Sequence, residues 1–233
     1  MTALVGTPGQ EATPTDRLAA HLTTWLGAWP PGGPLTVVES PARTEPGWDG
    51  QVHGAVGVAT PDGAVLSVPP GAGARVREVA GAWTGLPGVL AAALDRPGTP
   101  IWLGTLRWTA RPADLPEVGV WLAADDPVLP PWLRPFGGQV LVALDGGEYA
   151  AGVGLKRHDG YGVELAVGTD PGHRGRGLAA RLVAQAARHI LAAGAVPTYI
   201  HDPANTASAR TAAAAGFPDE GWQALGMPPA KRR

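Results

Sequence analysis

The chain of 233 residues contains no cysteine. That excludes disulfide bonds, thiolate metal ligands and a cysteine nucleophile. Charge is also scarce. Charged residues make up 16% of the chain and the net charge is −2, so the basic face of a nucleic-acid binder is missing. No apolar run approaches the roughly 20 residues that span a bilayer. Met1 to Arg17 lacks the apolar core of a secretory signal. A soluble cytoplasmic protein is expected, with neither nucleic acid nor membrane as partner. The histidines show no metal-ligand spacing, so no metal is expected. No internal repeat of fixed period is present.

What the chain does have is apolar residues and punctuation. Hydrophobic residues reach 45%, enough to bury a real core. Glycine (34) and proline (25) are abundant, which predicts short elements and many turns. Residues 1 to 12 read as disordered and Lys231-Arg232-Arg233 as a frayed tail. Thr13-Pro14 reads as a helix start, and Leu18, Leu22, Trp25, Leu26 and Trp29 follow at helical spacing. Leu35 to Glu39 reads as a short strand. Val52 to Thr60 and Val65 to Val68 flank Pro61-Asp62-Gly63 as a hairpin. Ala74 to Trp83 reads as a helix that Gly85-Leu86-Pro87-Gly88 interrupts, with one or two further turns over Val89 to Leu94.

Ile101 to Trp108 reads as a strand, and Arg111 to Phe136 as a loop-rich segment with one or two short helices. Three strands follow at Gln139–Leu144, Tyr149–Arg157 and Tyr161–Thr169. A helix then ends at Gly194, Val196 to His201 is a strand, Ala204 to Ala215 a helix, and Phe217 to Leu225 a last strand or two. The order predicts an α/β fold with a mixed sheet: a hairpin meander joined to a single parallel pairing.

The informative stretch is His173-Arg174-Gly175-Arg176-Gly177-Leu178-Ala179-Ala180. It follows a buried strand and opens a helix with an apolar stripe at Leu178, Leu182, Val183, Ala186 and Ile190. A glycine turn at a helix start gathers bare backbone N–H groups at the positive end of the helix dipole, a site for an anion such as phosphate. Further on, Asn205-Thr206-Ala207-Ser208 is followed by Gly216-Phe217.

Together these two signals, with one helix and one strand between them, resemble the GNAT superfamily of acyl-CoA-dependent N-acyltransferases. Arg174, Gly177 and Ala179 match its Gln/Arg-x-x-Gly-x-Gly/Ala pyrophosphate motif, and Asn205, Ser208, Gly216 and Phe217 match its second motif in spacing. The resemblance covers about Gly138 to Gly226. It implies a GNAT-like fold over residues 101–233, with residues 1–100 a divergent region. That region reads as a degenerate half-domain, a lid or a homodimer surface. It also implies acetyl-CoA as cofactor. Backbone groups of Val167, Gly168 and Thr169 would hold its pantetheine arm, and amides from Arg174, Gly175, Arg176, Gly177, Leu178 and Ala179 its pyrophosphate. Asn205 and Ser208 would lie beside the arm.

The reaction implied is acetyl transfer to a primary amine, small-molecule or peptide, by direct attack in a ternary complex. Positioning and a polarised carbonyl supply most of the gain in such a transfer. A general base is needed for the ammonium. Glu164 and His201 are the candidates, with His158 and Tyr199 behind them. Trp121 and Trp132 are candidates to line the acceptor pocket. One departure matters: Ala212 stands where many members carry a thiolate-protonating tyrosine. A non-catalytic acyl-CoA-binding or sensor module therefore stays open. So does a dinucleotide site, since Gly175 to Ala180 also fits Gly-x-Gly-x-x-Ala, with Asp202 ending the next strand.

Overall fold

The computed structural model describes residues 12–229, so the expectations for residues 1–11 and for the basic tail lie outside the described residues. The first helix, α1 (Pro14–Leu26), starts where the sequence predicts. Thr13 accepts from the Asp16 amide, and the Asp16 carboxylate returns the bond to the Thr13 amide, a capping box. Gly27 adopts a left-handed conformation with φ of 94° and ends the helix, before the expected Trp29.

Strands β1 (Thr36–Glu39), β2 (Ala55–Thr60) and β3 (Gly63–Val68) follow, the last two as the expected hairpin. Helices α2 (Gly73–Val79) and α3 (Leu86–Ala93) differ from the sequence reading. The Leu86-Pro87-Gly88 stretch begins a helix instead of interrupting one, because proline in a first turn removes no needed N–H. Strand β4 (Trp102–Trp108) comes next. The loop-rich segment holds a short strand, β5 (Val120–Ala123), that its glycines and prolines hid. The meander β6 (Gln139–Asp145), β7 (Glu148–Arg157) and β8 (Gly162–Thr169) leads into α4 (Leu178–Ala192). Strand β9 (Val196–His201), helix α5 (Thr206–Ala214) and strand β10 (Gln223–Met227) complete the described chain.

All ten strands form one mixed sheet, in the order β1-β3-β2-β10-β4-β9-β8-β7-β6-β5. Two pairings are parallel, β8 with β9 as expected and β1 with β3 in addition. Strand β10 lies between β2 and β4, antiparallel to both. The first hundred residues and the rest therefore share one sheet.

Alternation along the strands sorts the core into faces. Val163 and Leu165 of β8 pack against Leu182, Val183, Ala186 and Ile190 of α4. On the other face, Leu18, Leu22 and Leu26 of α1 pack against Val56, Val58, Leu106, Val196 and Ala224. Helices α2 and α3 cover Ala55, Ala59, Leu66 and Leu225 on the α4 side of the sheet. Gly162 meets α1 closely: a Cβ there would lie 2.2 Å from the His21 ring.

Gly216 explains its own place after α5. Its φ is +90°, and a Cβ would lie 2.5 Å from the backbone nitrogen of Ala113. The adjacent Ala215 carbonyl accepts that same Ala113 amide. Gly216→Ala should therefore destabilise the fold by roughly 2 kcal/mol or more, read as a lower midpoint in urea denaturation at unchanged slope.

Candidate functional site

Strand β8 changes neighbours part-way along. It pairs in parallel with β9 from Gly162↔Val196 to Leu165↔Tyr199, and no further. On its other edge β7 stays paired as far as Ala151↔Thr169. Strand β9 likewise stays with β4 to Thr105↔His201. The C-terminal ends of β8 and β9 are thus each held from outside and part from one another. From Ala166 the chain of β8 also passes from buried to partly exposed. Val167, Gly168 and Thr169 sit on this parted end, so one backbone edge there has no strand partner. The Gly168 carbonyl accepts from the Tyr149 hydroxyl at 3.1 Å, and burial pushes that phenol up to about 12.

The glycine loop follows at once. A single turn of 3-10 helix, Pro171–His173, is capped by the Asp170 side chain. Gly175 and Gly177 have φ of 76° and 73°, and nothing lies within 4 Å of where their Cβ atoms would be. Gly177 is the N-cap of α4 and supplies no side-chain cap. The first amides of α4, at Leu178 and Ala179, are therefore left for another acceptor. Arg174 and Arg176 are exposed. Arg176 pairs with Asp145 at 2.8 Å, and that hydrogen bond and charge hold the Asp145 carboxyl below its usual range. Across the gap, Asn205 caps α5 by accepting from the Ser208 amide. The Ser208 hydroxyl meets the Tyr199 hydroxyl at 2.8 Å. Two helix starts and a strand gap thus converge beyond the carboxyl ends of two parallel strands, a usual place for ligands in α/β sheets.

On the α1 face lies a cavity of about 800 Å³. Gly104 and Gly226 contribute to its lining from neighbouring strands. A Cβ at Gly226 would lie 2.3 Å from the Trp102 indole, so the glycine lets that ring lie flat on the sheet. Trp25, Arg43 and Trp48 line the cavity from the first hundred residues, and Lys156, His158 and Glu164 from the β7–β8 hairpin. The tryptophans expected to line a pocket are placed elsewhere. Trp121 packs 4.6 Å from the His189 ring, and Trp132 meets Phe136 edge-on and covers Gly168.

Both candidate bases border this cavity, but on different terms. Glu164 is buried at 6% exposure. Its carboxylate pairs with the Lys156 ammonium and meets His158 Nε2 at 3.2 Å. Burial pushes its carboxyl up, yet the His158 hydrogen bond and the Lys156 and His158 charges outweigh burial and bring it down to about 2. Register puts Glu164 opposite Thr198, on the Ile200 side of the sheet. The His201 side chain is on the other face, with Arg107. Its Nδ1 donates to the Asp202 carbonyl at 2.9 Å, and its Nε2 accepts from Arg107 Nε at 3.2 Å. Neither ring nitrogen of His201 has a spare lone pair.

The residues the sequence did not single out are Arg43, Trp48 and Lys156. Lys156 was within reach of pattern reasoning, because the hairpin sets Lys156 directly opposite Glu164. Arg43 and Trp48 reach the cavity only through tertiary packing. The dinucleotide reading does not survive the topology: β8 has an antiparallel neighbour in β7, and Asp170 to His173 separate the strand from the glycines. Among the described residues no group of three or more His, Asp or Glu side chains is placed to hold a metal ion. No helix among them is long and apolar enough to cross a membrane.

A family profile described as Acetyltransferase (GNAT) family matches residues 103–217. No curated protein matches the chain. Similar solved structures include a GNAT-family acetyltransferase from Novosphingobium aromaticivorans, with 28% identity over 56% of this chain and 66% of that one, at a TM-score of 0.44. A GNAT-family acetyltransferase from Colwellia psychrerythraea is 15% identical over 60% of this chain and 61% of that one, at 0.44. A GCN5-related N-acetyltransferase-like protein from Streptococcus suis is 20% identical over 70% and 71%, at 0.45. The chain spans less than two thirds of the length of the first two. The profile begins in β4 and ends at Phe217, so it contains the strand gap, the glycine loop and the α5 cap. Through that stretch, the chain belongs to the GNAT acetyltransferase superfamily.

Proposed function

We propose that the protein is an N-acetyltransferase that moves an acetyl group from acetyl-CoA to a primary amine by direct attack in a ternary complex. The observation that carries this reading is the parting of β8 from β9 beside an uncapped helix start. The residues fit the cofactor. Amides of Gly177, Leu178 and Ala179 would meet the pyrophosphate, with Arg174 and Arg176 adding charge. The open edge of Val167, Gly168 and Thr169 would meet the pantetheine arm, with Asn205 and Ser208 across from it. Acetyl-CoA, when bound, supplies an acetyl group on a thioester. The overall change is balanced: an ammonium and a thioester give an amide, a thiol and a proton. Residues 1–100, as a divergent region, supply the acceptor-side wall.

The acceptor occupies the cavity on the α1 face, and the gap joins it to the two helix starts. Of the groups there, His158 suits the base. Donating Nε2–H to Glu164 leaves its Nδ1 as an acceptor, and the carboxylate stabilises the imidazolium that forms. Glu164 orients and charges that ring. His201 instead steadies Arg107 and the end of β9. A second reading, a non-catalytic acyl-CoA sensor, draws on Ala212, which is fully buried at 0% exposure and offers no acid for the thiolate. Release of CoA with a panel of amines separates the two: binding without turnover on any amine supports the sensor.

Gly177→Val tests the cofactor site. It should fold, at a cost of roughly 1–2 kcal/mol for a left-handed residue, and lose at least about tenfold in acetyl-CoA affinity by calorimetry; undiminished affinity refutes the assignment. His158→Gln should lower kcat by roughly a hundredfold or more, with acetyl-CoA affinity retained. Glu164 also makes a pH prediction. Its carboxyl ordinarily titrates near 4.5 and here near 2, so the fold favours the ionised form. The stability it contributes is full above about pH 4.5 and is lost as pH falls toward 2. Circular dichroism melts across that window should fall steeply for the wild type and less steeply for Glu164→Gln.

A further inference from the structure

Arg43 is the least explained charge among the described residues. It ends the short turn Pro41–Arg43 after β1 and is 94% buried, at 6% exposure. Its Nη2 donates to the Trp25 carbonyl, in the last turn of α1, at 3.1 Å. That contact serves the negative end of a helix dipole and engages one of five N–H donors. Its Nε is buried with no hydrogen-bond partner. Among the described residues no carboxylate pairs with it, whereas Lys156 in the same cavity is paired with Glu164. Glu45 and Asp202 also line the cavity, but both are exposed, as is Arg157. A buried, unpaired guanidinium costs stability unless something answers it. Burial draws Arg43 down to about 10, while the guanidinium keeps a face on the cavity.

Resting on the acetyl-transfer reading, we propose that the acceptor amine carries a carboxylate, that Arg43 is its clamp, and that its body is apolar: an amino acid or similar amino carboxylate. A planar guanidinium with unused donors suits a two-oxygen acceptor. A monoanion matches the single buried charge, whereas a dianionic phosphate would leave a net charge behind. Trp25, Trp48 and Trp102 supply aromatic walls for the body. The Trp48 ring is fixed by stacking on Phe136 at 5.2 Å and by the Lys156 ammonium over it at 5.6 Å. With the carboxylate on Arg43, the amine faces the His158–Glu164 end of the same cavity.

The three tryptophans make the test optical. The full chain is titrated with N-acetylphenylalanine, its primary amide and its phosphonate analogue while tryptophan fluorescence is followed. The acid should bind at least about tenfold more tightly than the amide and more tightly than the phosphonate. Arg43→Gln, folded by its melting curve, should erase the preference over the amide, and Arg43→Lys should restore part of it. Equal binding of acid and amide by the wild type, a tighter phosphonate, or a folded Arg43→Gln that still prefers the acid overturns the proposal. The wild-type comparison needs no variant to fold. Acetyl-CoA calorimetry and CoA release, measured separately, report on acyl transfer itself. Carboxylate preference without turnover of any amine would remove the transfer reading and keep the clamp. Turnover indifferent to the carboxylate would do the reverse.

Discussion

The structure turns on a pairing that stops early. Two parallel strands share four registered positions and then separate, at Leu165 and Tyr199. Fraying is not the cause, since each strand remains bonded to its outer neighbour to its end. A sheet that gives up hydrogen bonds in its middle exposes backbone groups that must be satisfied otherwise. At an edge, water or a loop would do. In the centre of a ten-stranded sheet, flanked by the starts of α4 and α5, the extended arm of the proposed cofactor, with amide groups of its own, would answer the requirement more completely.

The same separation fixes what each side chain can do. Because a strand alternates faces, the gap has two mouths with different chemistry. One opens toward the uncapped start of α4, with its backbone N–H groups and the exposed Arg174 and Arg176. The other opens toward α1, where a carboxylate, an imidazole and an ammonium sit among tryptophans. Glu164 and His201, near in the fold, are divided by this alternation. Glu164 points to the cavity, and His201 is drawn into the Arg107 network that also holds Asp219 at 2.9 Å. A one-residue shift in the register of either strand would turn that strand's residue to the opposite face.

What could be read from residues alone follows from how local its cause is. The α1 cap, the hairpins and the glycine loop are set by neighbours a few positions apart, and Thr13, Asp62, Gly147 and Gly177 announce most of them. The order of the final third could be read because a strand, a turn and a helix recur in sequence. Strand β5 escaped notice because its four residues gain strand character only by pairing with β6. The parallel pairing of β1 with β3, and the seat of β10 between β2 and β4, join segments far apart in the chain. No pattern in either partner encodes them. The cavity is hidden for the same reason: Arg43 lies among prolines and threonine in a turn without regular period, and its burial is decided by α1.

This last point bears on how labour is divided in the molecule. The family profile starts at residue 103, and Trp25, Arg43 and Trp48 all lie before it. The strand gap, the glycine loop and the α5 cap, where we propose the donor binds, thus fall inside the stretch that the profile matches, while much of the proposed acceptor-side wall falls outside it. That is the arrangement expected when one chemistry is kept and its partner changes, since function resides in sites built onto a fold. Strand β10 makes the arrangement mechanically sound. By pairing with β2 on one side and β4 on the other, it fixes the N-terminal strands to the same sheet that carries β8 and β9. The strand that leads into Arg43 is therefore tied to β8 and β9 through continuous backbone pairing, which is the rigid link that the proposed two-ended acceptor requires.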